Sequence, residues 1–375
     1  MTLPKMLLKK EEEVIFRLRA IFERFGYKKF KMSKFEEYDF YAENRNFLSS
    51  ENILTFSGLD GKLLALKPDV TLSIIKNTKG NYKIPERVYY NENVYRVRKG
   101  TGEYKEIMQV GLEYIGEVDC YATLEVIRLA QKSMAIVSDD YIMDISHMGF
   151  VMGMIEELGL SNSQNEILLQ GMSEKNTHSI QEFCEQYGVK EALKNALVEM
   201  ASLYGSIVET LPKAKALCVN EKMKEALAEI EAVFSALKAN GVSEHLNLDF
   251  SMVNGMDYYN GIIFQGFIHG VPSSILSGGR YDNLVHKLGK NSDAIGFAVY
   301  LDLLERYDNL QKEYDTDILL LYEDNTDTGA LLKSVEMLTD NGQSVMVQKQ
   351  NTGRVKYKQL WSMKERGLEI IAEND

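Results

Sequence analysis

The stretch RVYYNENVYRVRKGTGEYKEIMQVGLEYIG, residues 87–116, decides the architecture. Polar and apolar residues alternate on both sides of KGTG (99–102), the period of a strand with one buried face. A glycine-containing turn between two such runs predicts a long antiparallel hairpin. Gln109, Gly111 and Glu113 then fall two apart and share one face of the second strand. Upstream, EEEVIFRLRAIFERFG (11–26) places Val14, Ile15, Leu18, Ile21, Phe22 and Phe25 on one helical stripe, with Gly26 as its cap. Downstream, 121–137 returns to helical spacing. From about 148 to 240 the chain reads as almost wholly helical, with breaks at GLSNSQ, QYGVKE and NGVSEH. Strands resume at 262–268 and near 275, and SGGRYDNLVHKLG (277–289) reads as a strand end, a glycine turn and a helix. Strands grouped around a helical insertion at about 148–245 make residues 1–312 an α+β domain, an antiparallel sheet flanked by helices.

Beyond DNLQKEYDT (308–316) the pattern changes. DILLLY, GALLKSVEMLTDNG, QSVMVQK, YKQLWSMKERG and LEIIA read in turn as strand, helix, strand, helix and strand. That alternation predicts a small α/β domain with a parallel sheet over 313–375.

Composition narrows the function classes. The 375 residues are 45% hydrophobic and 26% charged with a formal net charge of −12, a soluble globular profile without the broad basic footprint of a nucleic-acid binder. Cys120, Cys184 and Cys218 are too scattered for a CxxC site, which favours reduced thiols and a cytoplasmic setting. The N-terminus lacks the apolar stretch of a signal peptide, and no run approaches the ~18 apolar residues of a membrane span. No phosphate-binding GxxxxGK[ST] loop, strand-linked GxGxxG, GxSxG elbow or HExxH pair is present, so neither a cofactor nor a metal is expected.

Three polar clusters remain, each in a stretch that reads as strand. They are Asp69 and Thr71 in LALKPDVT (64–71), Gln109 and Glu113, and Tyr258 with Tyr259 in VNGMDYYNG (253–261). Brought together, two carboxylates, an amide and phenols suit a small ligand bearing an ammonium and a polar N–H, since a buried carboxylate is costly without a cation or donors. By pattern alone the same residues also describe a solvated sheet face, half-buried tyrosine packing, and a turn at Gly278 and Gly279.

The motifs in order resemble the class II histidyl-tRNA synthetases and their paralogue, the regulatory subunit of ATP phosphoribosyltransferase. LALKPDVT resembles the synthetase motif Leu-Arg-Pro-Glu-Gly-Thr, and residues 94–116 resemble class II motif 2 running into a Gln-x-Gly-x-Glu strand. VNGMDYYNGIIFQGF is similar to the signature Val-Arg-Gly-Leu-Asp-Tyr-Tyr, LSGGRYDNLVHKLG to the second histidine-specific signature, and AIGFAVYLDLL stands where motif 3 belongs. The resemblance implies a class II synthetase-like core over 1–312, and a truncated anticodon-binding-like domain over 313–375.

The departures separate synthetase from paralogue. Leu303 stands where motif 3 has an ATP-gripping arginine, Asn254 where the signature has the arginine that stabilises charge on the α-phosphate, and Arg98 where motif 2 has a glutamate. The resemblance therefore implies no catalytic residues, a short-form catalytic subunit as partner, and histidine as effector. It also implies a homodimer within a hetero-oligomer, and no binding of tRNA or membrane. Carried over residue by residue, Asp69 meets the ligand ammonium with Thr71 and Gln109, and Arg96 the carboxylate. Glu113 and Tyr258 hold the imidazole, Tyr259 walls the pocket, and Gly278 and Gly279 allow close backbone approach. Removing Glu113 is expected to leave folding intact, on the view that its carboxylate is unpaired in the empty pocket. Alternatives are a divergent active histidyl-tRNA synthetase, or a synthetase-like amino-acid sensor or interaction module with another role.

Overall fold

A computed structural model describes residues 10–48, 53–80, 82–97, 102–253, 255, 258–304, 314–364 and 367–374. The chain divides into a larger unit, Glu11–Leu304, and a smaller one whose main part follows it. The stripe of α1 (Lys10–Arg24) buries Val14, Leu18 and Phe22, and Gly26 follows at φ +83°. After β1 (Lys28–Lys29) comes a small antiparallel sheet of β2 (Phe35–Glu37), β3 (Thr55–Ser57) and β4 (Leu63–Leu66), with α2 (Tyr38–Glu43) between its first two strands in the chain. Next stand α3 (Val70–Asn77), β5 (Glu86–Val97), β6 (Tyr104–Gly116), α4 (Cys120–Val137) and β7 (Tyr141–His147).

The helical segment holds α5 (Met148–Leu158), α6 (Asn162–Ser173), α7 (Thr177–Gln186), α8 (Glu191–Ser202), α9 (Ile207–Ala216) and α10 (Glu221–Ala239). One short strand, β8 (Tyr204–Ser206), interrupts it, because the chain touches the sheet there and pairs with β9 (Leu246–Asp249). The unit closes with β10 (Ile262–Ile268), β11 (Leu276–Arg280), α11 (Asp282–Lys287) and β12 (Asp293–Tyr300).

Nine strands form one sheet in the order β1-β5-β6-β12-β11-β10-β7-β9-β8. Its neighbours pair antiparallel except β1 with β5 and β7 with β9. The expected hairpin is β5–β6, in register from Glu86↔Ile115 to Val97↔Tyr104; residues 98–101 of its turn lie outside the described residues. Gly278 and Gly279 do not form a turn. They lie inside β11, paired on both sides, and the chain bends only after Arg280. No described helix is long and apolar enough to cross a membrane.

The smaller unit corrects one expectation. Its elements are β13 (Thr316–Leu321), α12 (Thr328–Asp340), β14 (Val345–Gln348), β15 (Tyr357–Lys364) and β16 (Gly367–Glu373), in sheet order β14-β13-β15-β16. Residues 357–364 are a strand, not a helix, and the sheet is mixed: β13 runs parallel to β14 and β15, while β15 and β16 are antiparallel. The helix propensity of Lys, Gln, Leu and Met there is outweighed by burial on both faces of a central strand. Trp361 and Met363 pack with Ile318, Leu320 and Leu338, while Leu360 and Ser362 are buried on the other side.

Candidate functional site

One face of the large sheet floors a cavity of about 650 Å³. Register selects what faces it. Gln109, Gly111 and Glu113 on β6 oppose Tyr300, Ala298 and Gly296 on β12. Next to these lie Ser277 and Gly279 on β11 and Gln265 on β10, while β5 brings Tyr90 and Glu92 from the other side. Alternation puts all of them on one side of the sheet. Gly278 belongs to the opposite face and is no pocket wall: a Cβ there would strike Phe297 and Phe264. Gly279 does face the cavity side, where a Cβ would come 2.9 Å from the Tyr259 ring.

Asp69 and Thr71 reach the cavity from a helix start, not from a strand. β4 ends at Leu66, and Asp69 then caps α3, its Oδ1 accepting from the Leu72 N–H at 2.9 Å. An aspartate with extended backbone (φ −148°) before an apolar run favours this cap over further strand. Tyr258 and Tyr259 likewise sit in a loop before β10; both backbone N–H groups donate to Gly255 O at 2.8 Å. Asn254 and Asp257 lie outside the described residues.

Glu113 is the centre of the site. It is 2% exposed, and both carboxyl oxygens are engaged: Thr71 Oγ1 donates to Oε1 at 2.7 Å and the Tyr281 hydroxyl to Oε2 at 2.6 Å. A Cβ on Gly296 would overlap Oε2, so β12 must carry glycine opposite this carboxyl. Burial pushes the Glu113 pKa up to about 8; the hydroxyls of Tyr281 and Thr71 oppose that rise, and the nearby Asp69 charge adds to it. The shift favours the protonated form of this carboxyl. Burial also raises Asp69, against the pull of Arg96 and of the Leu72 and Thr71 amides. Arg96 donates from Nε to Pro68 O at 3.1 Å, and its nearer terminal nitrogen stands 4.0 Å from Asp69 Oδ2. Two residues before Asp69, the fully buried Lys67 pairs with Glu92 of β5 at 3.0 Å.

The aromatic wall follows from the same elements. The Tyr258 ring lies 4.7 Å from Tyr259, 5.6 Å from Tyr281 and 6.4 Å from Phe47, centroid to centroid. Burial holds the phenols of Tyr90, Tyr258 and Tyr281 well above their usual pKa, so they remain neutral donors. The cavity thus combines Asp69, Thr71, Arg96, Gln109, Glu113, Tyr258 and Tyr259. Tyr90, Tyr281, Gly296 and Tyr300 also belong to it, and sequence reasoning missed them. The alternation of AIGFAVY (294–300) already put Gly296, Ala298 and Tyr300 on one face; what it lacked was the pairing register with Glu113.

Chemically, the Arg96 guanidinium, the two buried carboxyl groups of Asp69 and Glu113 and several phenols suit a zwitterionic ligand with a polar ring. Beyond β12, Asp302 pairs with Lys105 Nζ at 2.5 Å, and the next residue is Leu303.

The family model for histidyl-tRNA synthetase matches residues 3–304. An ATP phosphoribosyltransferase regulatory subunit from Acetivibrio thermocellus is 31% identical over 293 residues, covering 77% of this chain and 70% of its own. One of the same name from Clostridium kluyveri is 34% identical over 325 residues, covering 84% and 83%. A Bacillus halodurans C crystal structure described as an ATP phosphoribosyltransferase regulatory subunit/histidyl-tRNA synthetase superposes with a TM-score of 0.72 at 25% identity, covering 96% of each chain. With the class II-type sheet and the ordered motifs, these likenesses lead to one conclusion: the chain belongs to the histidyl-tRNA synthetase family, among the ATP phosphoribosyltransferase regulatory subunits.

Proposed function

We propose that this chain is a non-catalytic, cytoplasmic subunit that activates a short-form ATP phosphoribosyltransferase catalytic subunit and senses histidine for feedback inhibition. What supports the reading is a cavity that gathers Asp69, Arg96, Gln109, Glu113 and Tyr258, together with two positions, 254 and 303, that lack the arginines expected from the family resemblance. Asp69 receives the ligand ammonium, Arg96 its carboxylate, and Glu113 with Tyr258 the imidazole, while Thr71 and Gln109 complete the polar lining and Tyr259 walls it. Adenylation brings a carboxylate against a phosphate, and each preorganised donor lost there costs ~2.7–4 kcal/mol of barrier. Asn254 and Leu303 remove two arginines by the family resemblance. Histidine regulates only if it binds two states of the assembly with different affinity.

The direct test is calorimetric titration with histidine, run beside the activity of the catalytic subunit with and without this chain. Saturable histidine binding together with stimulation of the catalytic subunit is expected; neither effect appearing refutes the reading. Light scattering should show a homodimer that enters a larger hetero-oligomer. Histidine-dependent exchange of pyrophosphate into ATP is expected to stay at the no-enzyme level, and exchange well above it restores a synthetase.

The C-terminal unit is expected not to bind tRNA. Acidic residues outnumber basic ones over 313–375, the wrong sign for a phosphate surface. The chain's one tryptophan, Trp361 of β15, reports on this unit by its emission. It should stay unchanged when histidine tRNA is added, and salt-sensitive quenching contradicts the expectation.

A further inference from the structure

We propose that Asn260 is a positioning residue for the ligand pocket: with Asp282 it forms a clasp that sets Tyr258–Tyr259 against Tyr281. This inference rests on the reading of the pocket as a histidine site. Asn260 directly follows Tyr259, and Asp282 directly follows Tyr281. The two residues hold each other reciprocally. Asn260 Nδ2 donates to Asp282 Oδ2 at 3.0 Å, the Asp282 N–H donates to Asn260 Oδ1 at 2.8 Å, and the Asn260 N–H donates to Arg280 O at 3.0 Å. Three hydrogen bonds thus join the end of the tyrosine loop to the corner between β11 and α11.

The Asp282 half of the clasp is itself immobilised. It is 6% exposed; Oδ1 accepts from the Ala294 N–H at 3.0 Å and Oδ2 from Arg280 Nε at 2.7 Å. Arg280 in turn reaches Asp293 at 3.0 Å and Val118 O at 3.2 Å. Its stem crosses Gly261, where a Cβ would come 2.9 Å from the Arg280 Cδ. None of these groups faces the cavity. Their shared effect is geometric: one end of the clasp bears the tyrosine wall and the other bears the hydroxyl that donates to Glu113 Oε2. Asparagine suits the 260 position because it supplies a donor and an acceptor together without charge, whereas a carboxylate there would oppose Asp282.

Asn260→Ala and Asn260→Asp in the full chain test this. Asn260→Ala should weaken histidine binding about tenfold by calorimetry while the ligand-free protein still melts cooperatively. Asn260→Asp should bind close to wild type in mild acid, where the neutral carboxyl replaces the amide as donor and acceptor. Its affinity relative to wild type should then fall about tenfold as the carboxyl ionises. Loss of fold alone does not produce that pH profile. Variants that match wild type at every pH overturn the clasp. Wild type failing to bind histidine instead refutes the functional reading, and the clasp is then decided without ligand by carbon-13 titration of the Glu113 carboxyl. Slackening the Tyr281 hydroxyl in Asn260→Ala should move that titration upward, and an unmoved titration overturns the inference.

Discussion

Glu113→Ala loses histidine affinity by at least about tenfold and also lowers the stability of the ligand-free protein. The second half of this expectation departs from the one that the sequence alone supports. Read as a strand residue facing a pocket, Glu113 is an unpaired carboxylate, and its removal is neutral or stabilising. In the structure neither oxygen is unpaired, since Thr71 and Tyr281 each donate to one of them. Alanine strands both hydroxyls in a buried site, at ~1–3 kcal/mol for each group left unsatisfied. It also opens a void above Gly296, whose missing side chain exists to admit the carboxyl. Denaturant titration of both proteins measures the stability loss, and calorimetry the binding loss. Binding within threefold of wild type sinks the pocket assignment. An unchanged denaturation midpoint with lost binding means that the two hydroxyls find other partners.

Glu113→Gln separates the two effects. Glutamine keeps the volume and one carbonyl acceptor, so most of the stability should return. The pairing required of a ligand N–H changes, and affinity should stay below wild type.

How far the sequence reaches can be judged at particular residues. The β5–β6 hairpin and the shared face of Gln109 and Glu113 were legible because a two-residue period is a local property. α1 and α4 were legible for the same reason with the helical period. Tyr258–Tyr259 and Asp69–Thr71 stand out in the sequence as polar clusters, but only the motif resemblance gives them roles, and the strands their stretches suggest are ones the chain does not form. At Asp69 the capping aspartate outweighs the extended preference of Lys67-Pro68, and at Tyr258 the turn onto Gly255 does the same. The resemblance carries Gly278 and Gly279 into the pocket together, because adjacent glycines look alike in sequence. Strand parity then sends one to each face, and only pairing register tells which is which. Tyr281 was missed for a related reason. Its bond to Glu113 spans 168 residues, and nothing local announces a contact of that separation. The 357–364 strand shows the converse, a helix-forming composition overruled by two neighbouring strands.

The remaining large effect is a pH dependence, and its sign follows from the same carboxyl. Folding raises the Glu113 pKa from 4.5 to about 8. Between those values the native state holds a proton that the unfolded state has released, so stability falls as pH rises. The contribution is fully present below about pH 4.5 and is lost by about pH 8. Glu113→Gln has no proton to lose there. The stability of wild type relative to the glutamine variant should therefore decline across that window, by on the order of a few kcal/mol. Comparing the two proteins cancels the titrating groups that do not interact with Glu113; Asp69, whose raised pKa acts in the same direction, is coupled to Glu113 and cancels only in part. Denaturant midpoints at a series of pH values measure the difference, and a flat difference shows that Glu113 is ionised in the folded protein at neutral pH. Histidine adds a further check. If its ring N–H donates to Glu113, the carboxylate form is selected and binding near pH 7 releases a proton. Titrations in buffers of different ionisation heat then give different apparent enthalpies. Equal enthalpies mean that no net proton leaves; where the midpoint series shows Glu113 protonated, that is the outcome expected when the protonated carboxyl donates to a ring nitrogen, the reverse of the roles assigned to the two groups.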